Sequence, residues 1–192
     1  MTDPIQVICE NTGAAIEVPM GTTLLDVQRR LMPACDHPCL AAYVNNRTKE
    51  LNYRIYTPVT VRFLDITSFE GIRVYQRTVS FVLQKAVREL WPDRRLHIRH
   101  SMGSNGFYCE VSGIDEFTDG QIDRLRDHML KLVGRDLPIR RTKALTEQVR
   151  SLYAAYGFED KIALLDTRPR LYSELYTLSL IHISEPTRRV VI

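Results

Sequence analysis

No run of this chain is apolar for long enough to cross a bilayer. Its first residues, MTDPIQVICEN, lack the basic start and apolar segment of a secretory leader. The expectation is a cytoplasmic protein with no membrane partner. Its four cysteines, Cys9, Cys35, Cys39 and Cys109, show no disulfide-framework spacing, which suits a reducing compartment. Neither GxxxxGK[ST] nor GxGxxG occurs anywhere, so the chain has no recognisable loop for wrapping backbone N–H groups around the phosphates of ATP. Charge of one sign is also scarce. Lys and Arg number 26 against 23 Asp and Glu, a net +3 that cannot by itself argue for nucleic acid. Glu110 and Asp115 have no identifiable acid/base partner. The residues alone therefore nominate no catalytic, cofactor-binding or metal-binding group.

What is present is an ordinary soluble composition, 44% hydrophobic and 26% charged over 192 residues, enough for one or two domains with real cores. The organising stretch is 71–113. Val79, Val82, Leu83, Ala86 and Leu90 recur at helical spacing and share a face, with Gln84, Lys85, Arg88 and Glu89 opposite. Pro92 ends the helix. Residues 96–98 and 107–111 read as strands around a glycine-bearing polar turn at 101–106.

Ahead of this stretch, residues 4–66 read as short strands around one helix. Strands are expected at 5–9, 15–18, 41–44, 51–55 and 59–64. Thr22 or Thr23 caps the helix, with Asp26 in capping-box position and Leu24, Leu25, Val27, Leu31 and Met32 as its buried stripe. A hairpin, a helix and returning strands make a β-grasp, ubiquitin-like module.

Beyond it, residues 67–177 read as a second, α+β domain. Thr118 and Gln121 signal a helix that buries Ile122, Leu125, Met129, Leu132 and Val133 and stops at Gly134. A strand follows in LPIRRTKAL, then a helix over 146–156 stopped by Gly157, then a short strand over 161–165. The fold class is thus α+β throughout. Residues 178–192 are set apart, because LSLIHISEPTR looks like the conceptual translation of a common sequencing adapter. Without them the chain holds 24 basic and 22 acidic side chains.

Two clusters invite a chemical reading. Cys35-Asp36-His37-Pro38-Cys39 offers three ligand types, but ligands two apart strain a tetrahedral zinc site, which favours a structural loop. Arg94, Arg95, His97 and Arg99 form a basic run that could contact phosphate or RNA, with a solvated strand as the plainer reading. Strand parity points His97 and Arg99 together and His100 away. Arg135, Arg140, Arg141 and Lys143 could extend the patch, and Cys109 reads as a buried, inert thiol.

The phrases GIRVYQRTVSF, ELWPD and NGFYCEV resemble the second N-terminal domain of threonyl-tRNA synthetase, which edits mischarged serine. That family carries an HxxxH pair at the start of the helix, and the matching positions here are Arg77 and Phe81. The resemblance implies the fold, while the two residues contradict the editing chemistry. VPMGTTLLDV and AAYVNN look like the TGS domain that begins those synthetases and some GTPases. TGS followed by an editing-like domain without histidines also resembles the front end of bacterial uridine kinase-type nucleoside kinases, through RTVSFVLQKAV, RELWPD, LPIRRTKALTEQV and DKIALLDT. That likeness implies a P-loop domain elsewhere, acting on a nucleoside with ATP and magnesium. A synthetase fragment with a degenerate editing site, or a TGS module that binds RNA or a ligand, are the alternatives. On the adapter reading, deletion of residues 178–192 leaves the thermal midpoint unchanged or raises it, which a melting curve of the shortened chain checks.

Overall fold

The computed structural model describes residues 4–103, 106–167 and 170–178, and the backbone of 181–182. The chain divides into two compact units, Met1–Val79 and Ser80–Ile192. The division falls inside a helix rather than at the connection expected near residue 66.

In the first unit, β1 (Pro4–Cys9) pairs antiparallel with β2 (Ala15–Pro19). β1 also lies parallel to β5 (Val59–Leu64), which pairs antiparallel with β3 (Ala41–Val44). β4 (Arg47–Lys49) closes a five-stranded sheet of order β2-β1-β5-β3-β4. This is the β-grasp arrangement. Alternation in β1 puts Ile5, Val7 and Cys9 inside, where they meet Val18, Val61 and Phe63. α1 (Leu24–Leu31) covers this core with Leu24 and Val27, both 0% exposed. Thr23 is its cap: the hydroxyl accepts the Asp26 N–H at 3.1 Å and donates to the Asp26 carboxylate at 2.6 Å.

Two expectations fail here for local reasons. Met32 takes a left-handed conformation (φ 40°) that ends α1, so its side chain is 79% exposed instead of joining the stripe. Residues 51–55 are not a strand and make only an isolated bridge, Thr23 to Arg54. The hairpin partner of β3 is β4, because Asn45 and Asn46 both adopt positive φ and form a two-residue turn between them.

α2 (Phe69–Leu90) starts from a dense polar knot. Asp65 accepts from the Thr67 N–H and hydroxyl, while the Ser68 hydroxyl donates to the Asp65 carbonyl and accepts the Gly71 N–H. The backbone at Gly71 passes so close that a Cβ there would lie 1.7 Å from the Asp65 carbonyl oxygen. Further along, α2 buries Phe81, Val82, Ala86 and Val87, while Val79 is 37% exposed. Lys85, expected on the wet side, is 4% exposed.

In the second unit, β6 (Leu96–Ser101) and β7 (Phe107–Val111) form the expected hairpin; residues 104–105 of its turn lie outside the described residues. α3 (Asp119–Gly134) carries the reciprocal capping box of Thr118 and Gln121. Leu132 is its buried residue, whereas Ile122 and Val133 are 49% and 62% exposed. The helix ends at Gly134, as expected, with Arg135 as its C-cap and Asp136 turning left-handed at φ 45°. β8 (Ile139–Leu145) leads to α4 (Thr146–Ala155), and Gly157, at φ 68°, turns the chain after it. Residues 161–165 are not a strand; they belong to α5 (Glu159–Asp166). Ile162 and Leu165 pack with Val149, Tyr153 and Leu175, a placement that a short apolar run does not distinguish from strand.

β9 (Tyr172–Leu178) pairs along β8, and β10 (Ile181–His182) adds to its other side. The expected boundary at residue 178 therefore falls inside a strand. Leu178 is 4% exposed and packs with Phe81 and Leu132, so a deletion that begins at Leu178 removes core. Residues 179–180 and 183–192 of the proposed tail lie outside the described residues.

Gly71→Ala is expected to destabilise the first unit by about 1–3 kcal/mol, because its new methyl meets the Asp65 backbone carbonyl, which cannot swing aside, as well as the Ser68 hydroxyl. Urea titration of the wild type and variant checks this.

Candidate functional site

The two positions matching the editing histidines lie one turn apart on α2. Arg77 is exposed. Phe81 is 8% exposed and packs against Leu132 of α3 and Leu178 of β9, not against the hairpin. An arginine has no lone pair to bind a metal or relay a proton, and a buried phenyl ring offers neither donor nor acceptor.

The basic run on the hairpin is spread over different tasks. Arg94 donates to the Ser112 carbonyl at 3.2 Å. The backbone of Arg95 pairs with Ser112, and its guanidinium packs toward Gly157. Arg99 Nε meets Glu110 Oε2 at 2.7 Å. His97 stands opposite Glu110. Parity misplaces His100. Ile98 pairs with Cys109 and His100 with Tyr108, so Arg99 is an extra, bulged residue. The bulge returns His100 to the face of His97 and Glu110. His100 stacks on Tyr108 there, with ring centroids 5.2 Å apart and planes at 25°.

The opposite face of the hairpin is apolar. Leu96, Cys109 and Val111 line a cleft of about 190 Å³ with Leu83 and Val87 of α2 and Leu125 of α3. Burial pushes the Cys109 thiol up, as expected of an inert cysteine.

A charged group that periodicity did not find sits between α2 and α3. Lys85 Nζ lies 2.7 Å from one oxygen of Glu89, and His128 Nε2 lies 2.7 Å from the other. The i,i+4 spacing of Lys85 and Glu89 was the available signal. The partner His128, on another helix, left none. Partial burial acts to raise the Glu89 pKa, but hydrogen bonds from Lys85 and His128 outweigh it and hold the carboxyl below 4.5.

In the first unit, Cys35 and Cys39 bring their sulfurs to 3.3 Å, and burial together with Cys35 pushes the Cys39 thiol up to about 12. Among the described residues no group of three or more His, Cys, Asp or Glu is placed to hold a metal ion. A polar cleft of about 270 Å³ lies over β3 and β5, lined by Glu10, Tyr43, Asn45, Asn46, Thr60 and Arg62. The Arg62 guanidinium sits 4.9 Å from the Tyr43 ring centre. No helix among the described residues is long and apolar enough to cross a membrane.

No protein-family model matches the chain. Curated relatives do. This chain is similar to threonine–tRNA ligases. It is 27% identical over 157 residues to that of Desulforamulus reducens, covering 82% of this chain and 25% of the relative. Against that of Rubrobacter xylanophilus it is 28% identical over 157 residues, 82% of this chain and 24% of the relative. Against threonine–tRNA ligase 1 of Bacillus subtilis it is 26% identical over 169 residues, 88% of this chain and 26% of the relative. The chain thus spans about a quarter of the length of these ligases. The α+β fold with a β-grasp first unit fits that likeness. These relatives support the synthetase reading better than the nucleoside-kinase reading, which had been the leading expectation.

Glu89→Gln is expected to cost about 3 kcal/mol at pH 7, because it leaves the buried Lys85 ammonium without a counter-charge. The Glu89 pKa is lowered by folding, so its stabilisation is full above its unfolded value near 4.5 and is lost as pH falls through the folded value. Chemical denaturation between about pH 6 and 3 should show a steeper loss for the wild type than for the variant.

Proposed function

We propose that this chain is a region of a threonine–tRNA ligase-like protein in which the editing centre has decayed, and that its own role is to engage RNA rather than to catalyse. One observation carries the reading: similarity to these ligases extends over 82% of the chain while covering only a quarter of theirs. Ligation itself, and the amino acid and ATP that it needs, would belong to sequence outside this chain. The TGS-like unit and the hairpin are the surfaces offered to RNA.

Absence of editing follows from chemistry. Hydrolysis of a mischarged ester at this position would need two groups that can exchange protons or hold a water. Arg77 offers hydrogen-bond donors and no acceptor for a proton, and Phe81 is committed to the core. The kinase-like phrases keep a second reading within the same experiment. On that reading a P-loop domain elsewhere binds ATP and magnesium and phosphorylates a nucleoside, and the present chain supplies none of those groups.

The gene recovered from genomic DNA across codon 177 decides between them. Class II synthetase motifs downstream support the proposal, a GxxxxGK[ST] loop favours the kinase, and an early stop favours a free-standing RNA- or ligand-binding module. With the purified chain, single-turnover deacylation of seryl-tRNA is expected at the uncatalysed rate. Faster hydrolysis that Arg77→Ala abolishes would overturn the decayed-editing reading. Phosphorylation of uridine by the same chain with ATP and magnesium is expected to be undetectable.

A further inference from the structure

The outer face of the β6–β7 hairpin gathers an unusual set of side chains. The bulge at Arg99 places His97, His100, Tyr108 and Glu110 on one side, opposite the apolar face that lines the cleft with α2 and α3. Tyr108 is 45% exposed, and His100 is exposed as well. The ring pair thus presents aromatic surface to water instead of burying it. Arg99 is held beside them. Its Nε is bonded to Glu110 at 2.7 Å, and its side chain stays 55% exposed. A guanidinium pinned through Nε keeps its fork in one orientation, with the Nη edge suited to bidentate contact with a phosphate. Tyr108 and Glu110 are two residues apart on one strand, roughly 7 Å along the backbone, so the ring stack and the pinned guanidinium are anchored at neighbouring positions of one face.

We propose that this face is a binding platform for single-stranded RNA, with an unpaired base stacked on the His100–Tyr108 pair and an adjacent phosphate on Arg99. An exposed aromatic face beside an oriented cation is what an unstacked nucleotide needs. A duplex has its bases stacked internally and offers this face only its phosphates. Arg94 and Arg95, although first counted in the basic run, lie outside the platform: one is spent on the Ser112 carbonyl, and the other packs toward Gly157. The inference rests on the RNA-engaging part of the proposed function, but not on what lies downstream in the gene. The platform stands if that gene proves to encode a kinase, and it can fall while the ligase reading survives.

The test is fluorescence anisotropy of the whole chain with a labelled short oligoadenylate, the same length of duplex RNA, and an abasic strand. The single strand is expected to bind at least tenfold more tightly than the abasic strand. Tyr108→Ala should weaken oligoadenylate binding about tenfold, within the range measured for one stacked base, while Tyr108→Phe keeps it. Arg99→Ala should weaken binding and reduce the salt slope by about 0.7, the loss of one phosphate contact. His100→Ala gives a second disruption of the stack should Tyr108→Ala unfold. Equal affinity for single strand, abasic strand and duplex, or wild-type binding by folded Tyr108→Ala and His100→Ala, would overturn the proposal.

Discussion

A buried ammonium must be neutralised where it stands, and Lys85 is one. It lies 4% exposed on the helix that supplies Phe81, Val82 and Ala86 to the core of the second unit. Glu89, one turn on, takes its charge, and His128 reaches the same carboxylate from α3. The two helices therefore meet at a point that is directional as well as apolar. Apolar contacts between Ala86 and Leu132 tolerate sliding, whereas a carboxylate shared between an ammonium and an imidazole fixes rotation and height together. A charge at this point contributes less to net stability than to a single helix register, since desolvation offsets much of its attraction.

Legibility in the sequence followed the physics of each signal. Partial alternation in β1 and the cap residues Thr23, Thr118 and Gln121 act over a few neighbouring residues, and the structure keeps them. Signals that needed a distant partner failed. Residues 161–165 read as a strand, because nothing local shows that Tyr153 and Leu175 supply a surface for α5. Lys85 looked solvated because helical spacing sets it opposite the apolar stripe, although Glu89 one turn on takes up its charge. Met32 looked like stripe because nothing local announces a left-handed stop at a methionine. At the hairpin, one bulged residue reversed the parity argument for every side chain of β6 beyond Ile98.

That reversal also changes what the hairpin can do. With ideal pairing, His100 would face the apolar cleft and Arg99, not a second ring, would stand opposite Tyr108. With the bulge, two rings stack on the side away from α2, and a cation is braced next to them. The Arg77 and Phe81 positions show the complementary outcome. There an exposed cation and a core ring stand one turn apart, and the ring joins Leu132 and Leu178 in the core of the second unit.

Among the described residues β8 is the outermost strand of its sheet, in the order β10-β9-β8, so its far side is the one a strand of another molecule would meet. Its sequence, IRRTKAL, sets Arg140, Arg141 and Lys143 along that edge, with Arg141 tied to Glu174 and Lys143 over the Tyr172 ring. Like charges repel a second copy arriving in register, and long cationic side chains crowd the approach. Acetylation of Lys143, or exchange of the two arginines for β-branched residues, would open the edge and favour intermolecular sheet growth.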